Sequence, residues 1–232
     1  RNYGLSKKES HPIIYTMIRK LIYLPILLAI ILYFYFYNTI FTEGMSSKIS
    51  TIVLLGDSIF QNNNYVPKEK SIEYLLKQYV AVQSLVLAQD NATINVLYQQ
   101  YKSMPITMNN KHTNLYISIG GNDLLNVYEN NNTNDTTLFD MIWNLYKSTI
   151  LNLSTITQCN IILTDIYYIT DSNYEKYIPI IKKWNANLYQ FANNYKFKVF
   201  KISKLLTKPQ DFTNGIEPSI IGGTKMVNSF IY

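Results

Sequence analysis

Five short apolar runs rich in β-branched residues, at 51–55, 83–88, 114–119, 160–164 and 198–202, alternate with segments of helical period at 67–79, 92–103, 137–155, 174–195 and 219–231. Strands that alternate with helices in this way predict an α/β fold with a mainly parallel sheet, because parallel neighbours need a crossover long enough to hold a helix. The expected architecture is a three-layer α/β/α sandwich around a five-stranded, doubly wound sheet. In such sheets ligands bind outside the carboxyl ends of the strands, so the residues just after each run carry the functional reading.

A different signal precedes the alternation. From Leu21 to Thr42 no residue is charged, and 21–37 is nearly all apolar or aromatic. At 1.5 Å per residue, roughly 20 residues cross a hydrocarbon core. Lys7, Lys8, Arg19 and Lys20 precede this run and Glu43 follows it, which predicts a single-pass membrane helix with a cytoplasmic N-terminus. Tyr33, Tyr35 and Tyr37 suit an interfacial belt. The expected organisation is therefore a basic cytoplasmic tail at 1–20, a transmembrane helix at 21–42 and an α/β domain at 49–232. A cleaved signal peptide is the poorer reading, since 38–44 offers no small-x-small site. Translation starting at Met45 would remove the anchor and leave a soluble domain.

Composition narrows the function classes. The lone cysteine, Cys159, cannot close an internal disulfide, and no Cys/His cluster has zinc spacing, so neither a disulfide scaffold nor a metal is expected. The net charge of +6 is half accounted for before residue 45, and no basic stripe follows it, which argues against a nucleic-acid partner. Gly120-Gly121 lacks the lysine and serine of a phosphate loop, and no cofactor is expected. The runs Asn62-Asn63-Asn64 and Asn130-Asn131-Asn132 read as the codon bias of an AT-rich genome. Sequons at Asn91, Asn131, Asn134 and Asn152 are glycosylation candidates if the domain is exported. Trp143 and Trp184 fall on helices and read as core or groove packing.

Four motifs sit at the expected active edge. The first run ends in Gly56-Asp57-Ser58, the second leads into Asp90-Asn91-Ala92-Thr93, the third ends in Gly120-Gly121-Asn122-Asp123, and Asp211-Phe212-Thr213-Asn214-Gly215-Ile216-Glu217-Pro218-Ser219 precedes the last helix. In this order the chain resembles the SGNH (GDSL-type) hydrolase family over residues 49 to 231. The resemblance implies a serine ester hydrolase of the esterase, lipase or acetylesterase class, acting on a small-molecule, glycan or lipid ester. Ser58 would be the nucleophile. Its backbone amide, that of Asn91 and the side-chain amide of Asn122 would hold the oxyanion. Asp57 and Gly120 would support the site. The family commonly has a glycine where Asn91 stands, but Asn tolerates positive φ well and the donor there is the backbone.

The last motif departs from the family. An Asp and a His, three residues apart before a proline, are expected where Asn214 and Glu217 stand. His112 precedes the third run and falls on the opposite edge of the sheet, and His11 precedes the apolar run. Two outcomes follow. Either Glu217 serves as the base, with Asp211 or Asn214 supporting it, or the domain binds without turnover. A flavodoxin-like binding domain sharing only the sheet is the third reading.

Overall fold

The computed structural model describes residues 25, 28–33, 49–129 and 136–232, in two compact units, Arg1–Lys48 and Ile49–Tyr232. In the first unit residue 25 and residues 28–33 are helical and exposed. The rest of the expected transmembrane run lies outside the described residues, as do the sequons at Asn131 and Asn134. Among the described residues no helix is long and apolar enough to cross a membrane.

In the second unit, strands β1 (Thr51–Gly56), β2 (Gln83–Val86), β3 (Thr113–Ser118), β4 (Asn160–Thr164) and β5 (Lys198–Phe200) form one sheet in the order β2-β1-β3-β4-β5. Every pairing is parallel, with Val53 level with Leu85 and Leu115, and Leu115 with Ile161. All six residues of β1 are buried, as befits a central strand covered by helices on both faces. The winding reverses between β1 and β3. That reversal opens a crevice at their carboxyl ends, where doubly wound sheets bind ligands.

The connecting helices are α1 (Ile72–Lys77), α2 (Leu97–Lys102), α3 (Gly121–Tyr128), α4 (Thr136–Ile156), α5 (Ile178–Tyr195), α6 (Ile202–Leu205) and α7 (Ile220–Ile231). Helix α4 buries Phe139, Ile142, Trp143, Tyr146, Ile150 and Leu153, a spacing of three and four that puts one face into the core. It meets Trp184 of α5, fully buried, with ring centroids 5.1 Å from Trp143 and 5.0 Å from Tyr146. Both tryptophans are thus core residues. Ser219 caps α7 by accepting from the amides of Ile221 at 3.1 Å and Gly222 at 3.2 Å.

Two elements depart from the sequence reading. Helix α3, Gly121–Tyr128, begins just after the third strand and lies outside the five helical segments read from the sequence. Before α7, β6 (Phe212–Thr213) and β7 (Glu217–Pro218) pair antiparallel as a small hairpin outside the main sheet. Its turn carries positive φ at Asn214 (51°) and Gly215 (76°), an Asn-Gly hairpin signal that a reading centred on strand length passes over.

Candidate active site

The site is assembled where β1, β2 and β3 end. Beyond β1 the chain turns sharply, with the amides of Phe60 and Gln61 both donating to the Asp57 carbonyl at 3.1 Å. Asp57 caps this turn: its Oδ1 accepts from the Ile59 amide and from Ser118 Oγ, each at 3.2 Å. Ser58 is left free of capping duty. Gln100 of α2 grips the start of the turn from behind, accepting from the Gly56 amide at 2.7 Å and donating to the Gly56 carbonyl at 2.8 Å.

The hairpin brings Glu217 to the serine. Ser58 Oγ donates to Glu217 Oε1 at 3.0 Å across 159 residues of sequence, while Oε2 is buried without a hydrogen-bond partner. Burial raises the Glu217 carboxyl to about 7, the Ser58 hydrogen bond opposing this and the negative charge of Asp90 adding to it. Asp57 is raised to about 8, chiefly by burial, with the Ile59 amide working against the rise and the Glu217 charge assisting it. At neutral pH Asp57 is therefore mostly neutral, and Glu217 titrates close to neutrality.

Asn91 adopts φ 57°, the left-handed conformation expected of a residue standing where glycine is usual. Asn122 lies in the first turn of α3 and donates one Nδ2 hydrogen to the Ala92 carbonyl at 2.9 Å. A side-chain amide has two such donors, so the second is available to a ligand. Asp123 fastens the same loop, both its oxygens accepting from the Ile94 amide at 3.1 and 3.3 Å. Gly120 takes φ 110°, and a Cβ there would fall 2.5 Å from the Trp184 ring. The α4–α5 aromatic cluster thus admits only glycine at the turn that aims Asn122.

Asp57, Ser58, Asn91, Asn122 and Glu217 all line one cavity of about 190 Å³. Two candidate supports act elsewhere. Asp211 is fully buried and accepts from Lys225 Nζ at 2.7 Å and from the amides of Thr207 and Lys208 at 3.0 Å, so its carboxylate braces the segment before the hairpin instead of contacting Glu217. Asn214 is a turn residue. His112 lies at the amino end of β3, where its carbonyl accepts from Ser50, and His11 is outside the described residues.

Sequence reasoning passed over several residues that hold the site. Asn62, fully buried, donates to the Pro218 carbonyl at 3.3 Å and accepts from the Ile72 amide at 2.9 Å, tying the hairpin to α1. Asn63 donates to Glu73 at 3.1 Å, and Asn64 to Asp90 at 3.2 Å. The triplet read as codon bias is therefore a set of specific donors. Tyr65 donates to Asp90 at 2.9 Å, and Tyr167 to the Ile216 carbonyl. The closeness in sequence of Asn62, Asn63, Asn64 and Tyr65 to the Gly56-Asp57-Ser58 turn was the available signal.

Comparison with known proteins accords with this geometry. The family model for GDSL-like Lipase/Acylhydrolase matches residues 52–223. The chain belongs to that family. No curated protein matches it. Among solved structures, a lipolytic protein of the G-D-S-L family from Veillonella parvula is similar at 16% identity and a TM-score of 0.61, covering 77% of this chain and 94% of that one. The acetylxylan esterase Axe2 from Geobacillus stearothermophilus is similar at 15% identity and a TM-score of 0.58, over 79% and 94% of the two chains. A GDSL-like lipase from Bacteroides thetaiotaomicron matches at 15% identity and a TM-score of 0.55, over 83% and 93%. At these identities the likeness concerns the fold. For this GDSL-like chain the flavodoxin-like reading gives way to a hydrolase-family domain.

Proposed function

We propose that the domain is a serine ester hydrolase in which Ser58 is the nucleophile and Glu217 takes the place of the family's histidine base. The observation that carries this reading is the 3.0 Å hydrogen bond from Ser58 Oγ to Glu217 Oε1 at the wall of the cavity. Ser58 Oγ attacks the ester carbonyl carbon as its proton passes to Glu217. The carbonyl π pair moves to oxygen, which is held by the Ser58 and Asn91 amides and the free Asn122 donor. Collapse expels the alkoxide, which takes the proton from Glu217 and leaves as the alcohol. Water then attacks the acyl-serine by the same route, releasing the acid and restoring Ser58.

A carboxylate near its ordinary value would be too weak a base for this step, and the rise to about 7 corrects the mismatch. The alternative is a catalytically silent binding module, favoured by the carboxylate at the histidine's place. A fluorophosphonate serine probe applied at pH 5 to 9 separates the two. Labelling that is lost in Ser58→Ala and falls 10²- to 10⁴-fold in Glu217→Gln is the expected result. Labelling that appears only in Glu217→His would show a sound oxyanion hole without a working base, and would overturn the proposal. The charge-free run 21–42 behind a basic tail is further proposed to anchor the domain in a membrane. Resistance of the full chain to alkaline extraction, lost when residues 1–44 are removed, is the test.

A further inference from the structure

The cavity beside Ser58 is lined by both polar and aliphatic side chains. Asp57, Ser58, Asn122 and Glu217 are the polar groups at the reacting end. An aliphatic wall comes from three elements, with Leu124 and Leu125 of α3, Ile166 and Ile169 after β4, and Ile180 and Ile181 of α5. Thr164, Tyr167 and Tyr177 line the cavity with them. Asp165 also borders it, but its carboxylate already accepts from the Ser203 amide at 2.9 Å, from Ser203 Oγ at 2.6 Å and from Tyr189. Asn185 pins the loop that supplies Ile166, accepting from the Ile166 amide at 2.8 Å and donating to its carbonyl at 2.6 Å. That part of the aliphatic wall is therefore held in place.

We infer that this wall receives the acyl part of the substrate, and that the acyl group is an unbranched alkyl chain of about six carbons or more, not an acetyl group. The inference rests on the hydrolase reading for turnover but on the cavity alone for binding. An apolar cavity of about 150 Å³ is enough to hold a benzene ring, and the 190 Å³ here exceeds that. An acetyl group would leave most of the space and most of the aliphatic wall without contacts. A sugar would face six aliphatic side chains with few groups beyond the unpartnered Thr164 Oγ1 to answer its hydroxyls, and each hydroxyl left unpaired is a cost. A methylene chain meets neither penalty.

The test uses p-nitrophenyl esters from acetate to dodecanoate with residues 45–232, which contain the compact unit Ile49–Tyr232. It is run with wild type, Leu125→Phe and Ile180→Phe. The expected kcat/KM rises about fourfold for each methylene that enters the wall, on the order of 10²-fold from acetate to hexanoate. Either phenylalanine, by filling the cavity from a different helix, moves the optimum to a shorter chain. A binding arm titrates methyl octanoate and methyl acetate into Ser58→Ala by calorimetry, with retention of the octanoate alone expected. An optimum at acetate overturns the inference and leaves the hydrolase reading standing. Octanoate binding without turnover of any ester supports the inference and overturns the hydrolase reading. Neither binding nor turnover overturns both.

Discussion

Glu217 shows how one residue's surroundings decide its chemistry. In water its carboxyl titrates near 4.5, and here burial with one partnerless oxygen raises it to about 7. As a base it must be ionised, so kcat/KM should fall tenfold per pH unit below about 7 and level off above it. Asp90 contributes to that rise by its charge, so Asp90→Asn should move the acidic limb to lower pH, as a pH–rate profile would show. The same shift has a stability sign. The fold favours the protonated acid, so Glu217's contribution is full below about 4.5 and lost as pH rises through about 7. Glu217→Gln should therefore be more stable than wild type at pH 9, by roughly 3 kcal/mol, and equal to it at pH 4 in urea unfolding. Asn122→Ala should lower kcat about 10²- to 10³-fold with KM little changed, as expected for a donor engaged in the transition state.

The site depends on small elements that carry little of the core. The β6–β7 hairpin is two residues per strand, yet it delivers Glu217, and its grip on the body runs through Asn62 to the Pro218 carbonyl and Tyr167 to the Ile216 carbonyl. Asn62 is fully buried, so Asn62→Ala leaves a carbonyl and an amide without their partner. Each lost bond costs about 1 to 3 kcal/mol when the remaining group stays buried. The expected outcome is a lower melting temperature and weaker Ser58 labelling, with Asn62→Asp recovering stability in part through the Ile72 amide. Helix α3 works in the same way from the other side, since Asn122 and Asp123 both hold the loop that carries Asn91.

Across the molecule, the reversal of winding between β1 and β3 places the crevice, and the packing of α4 on α5 sets the turn beside it. Gly120→Ala puts a methyl group 2.5 Å from Trp184, so the ring or the turn must move. Overpacking of this kind costs about 1 to 3 kcal/mol. Gly120→Ala should therefore lower both thermal stability and activity, while Trp184→Phe in the same chain restores part of each, as melting curves and ester turnover would show.

The five strands and the long helices α4, α5 and α7 were legible in the sequence because burial on one or both faces imposes a period on apolar residues, and that period is a local property of the chain. Ser58, Asn91 and Asn122 were legible as positions, since each directly follows a strand whose end the alternation marks. What the sequence could not supply was partnership. The Glu217–Ser58 pairing across 159 residues was one of two outcomes left open by the family resemblance, while the turn of Asp211 to Lys225 and the structural role of the Asn62-Asn63-Asn64 triplet depend on tertiary contacts. The proton affinity of Glu217 belongs to the same class. A carboxyl group acquires it from the water it loses and the charges brought beside it, and both are fixed only when the chain has folded.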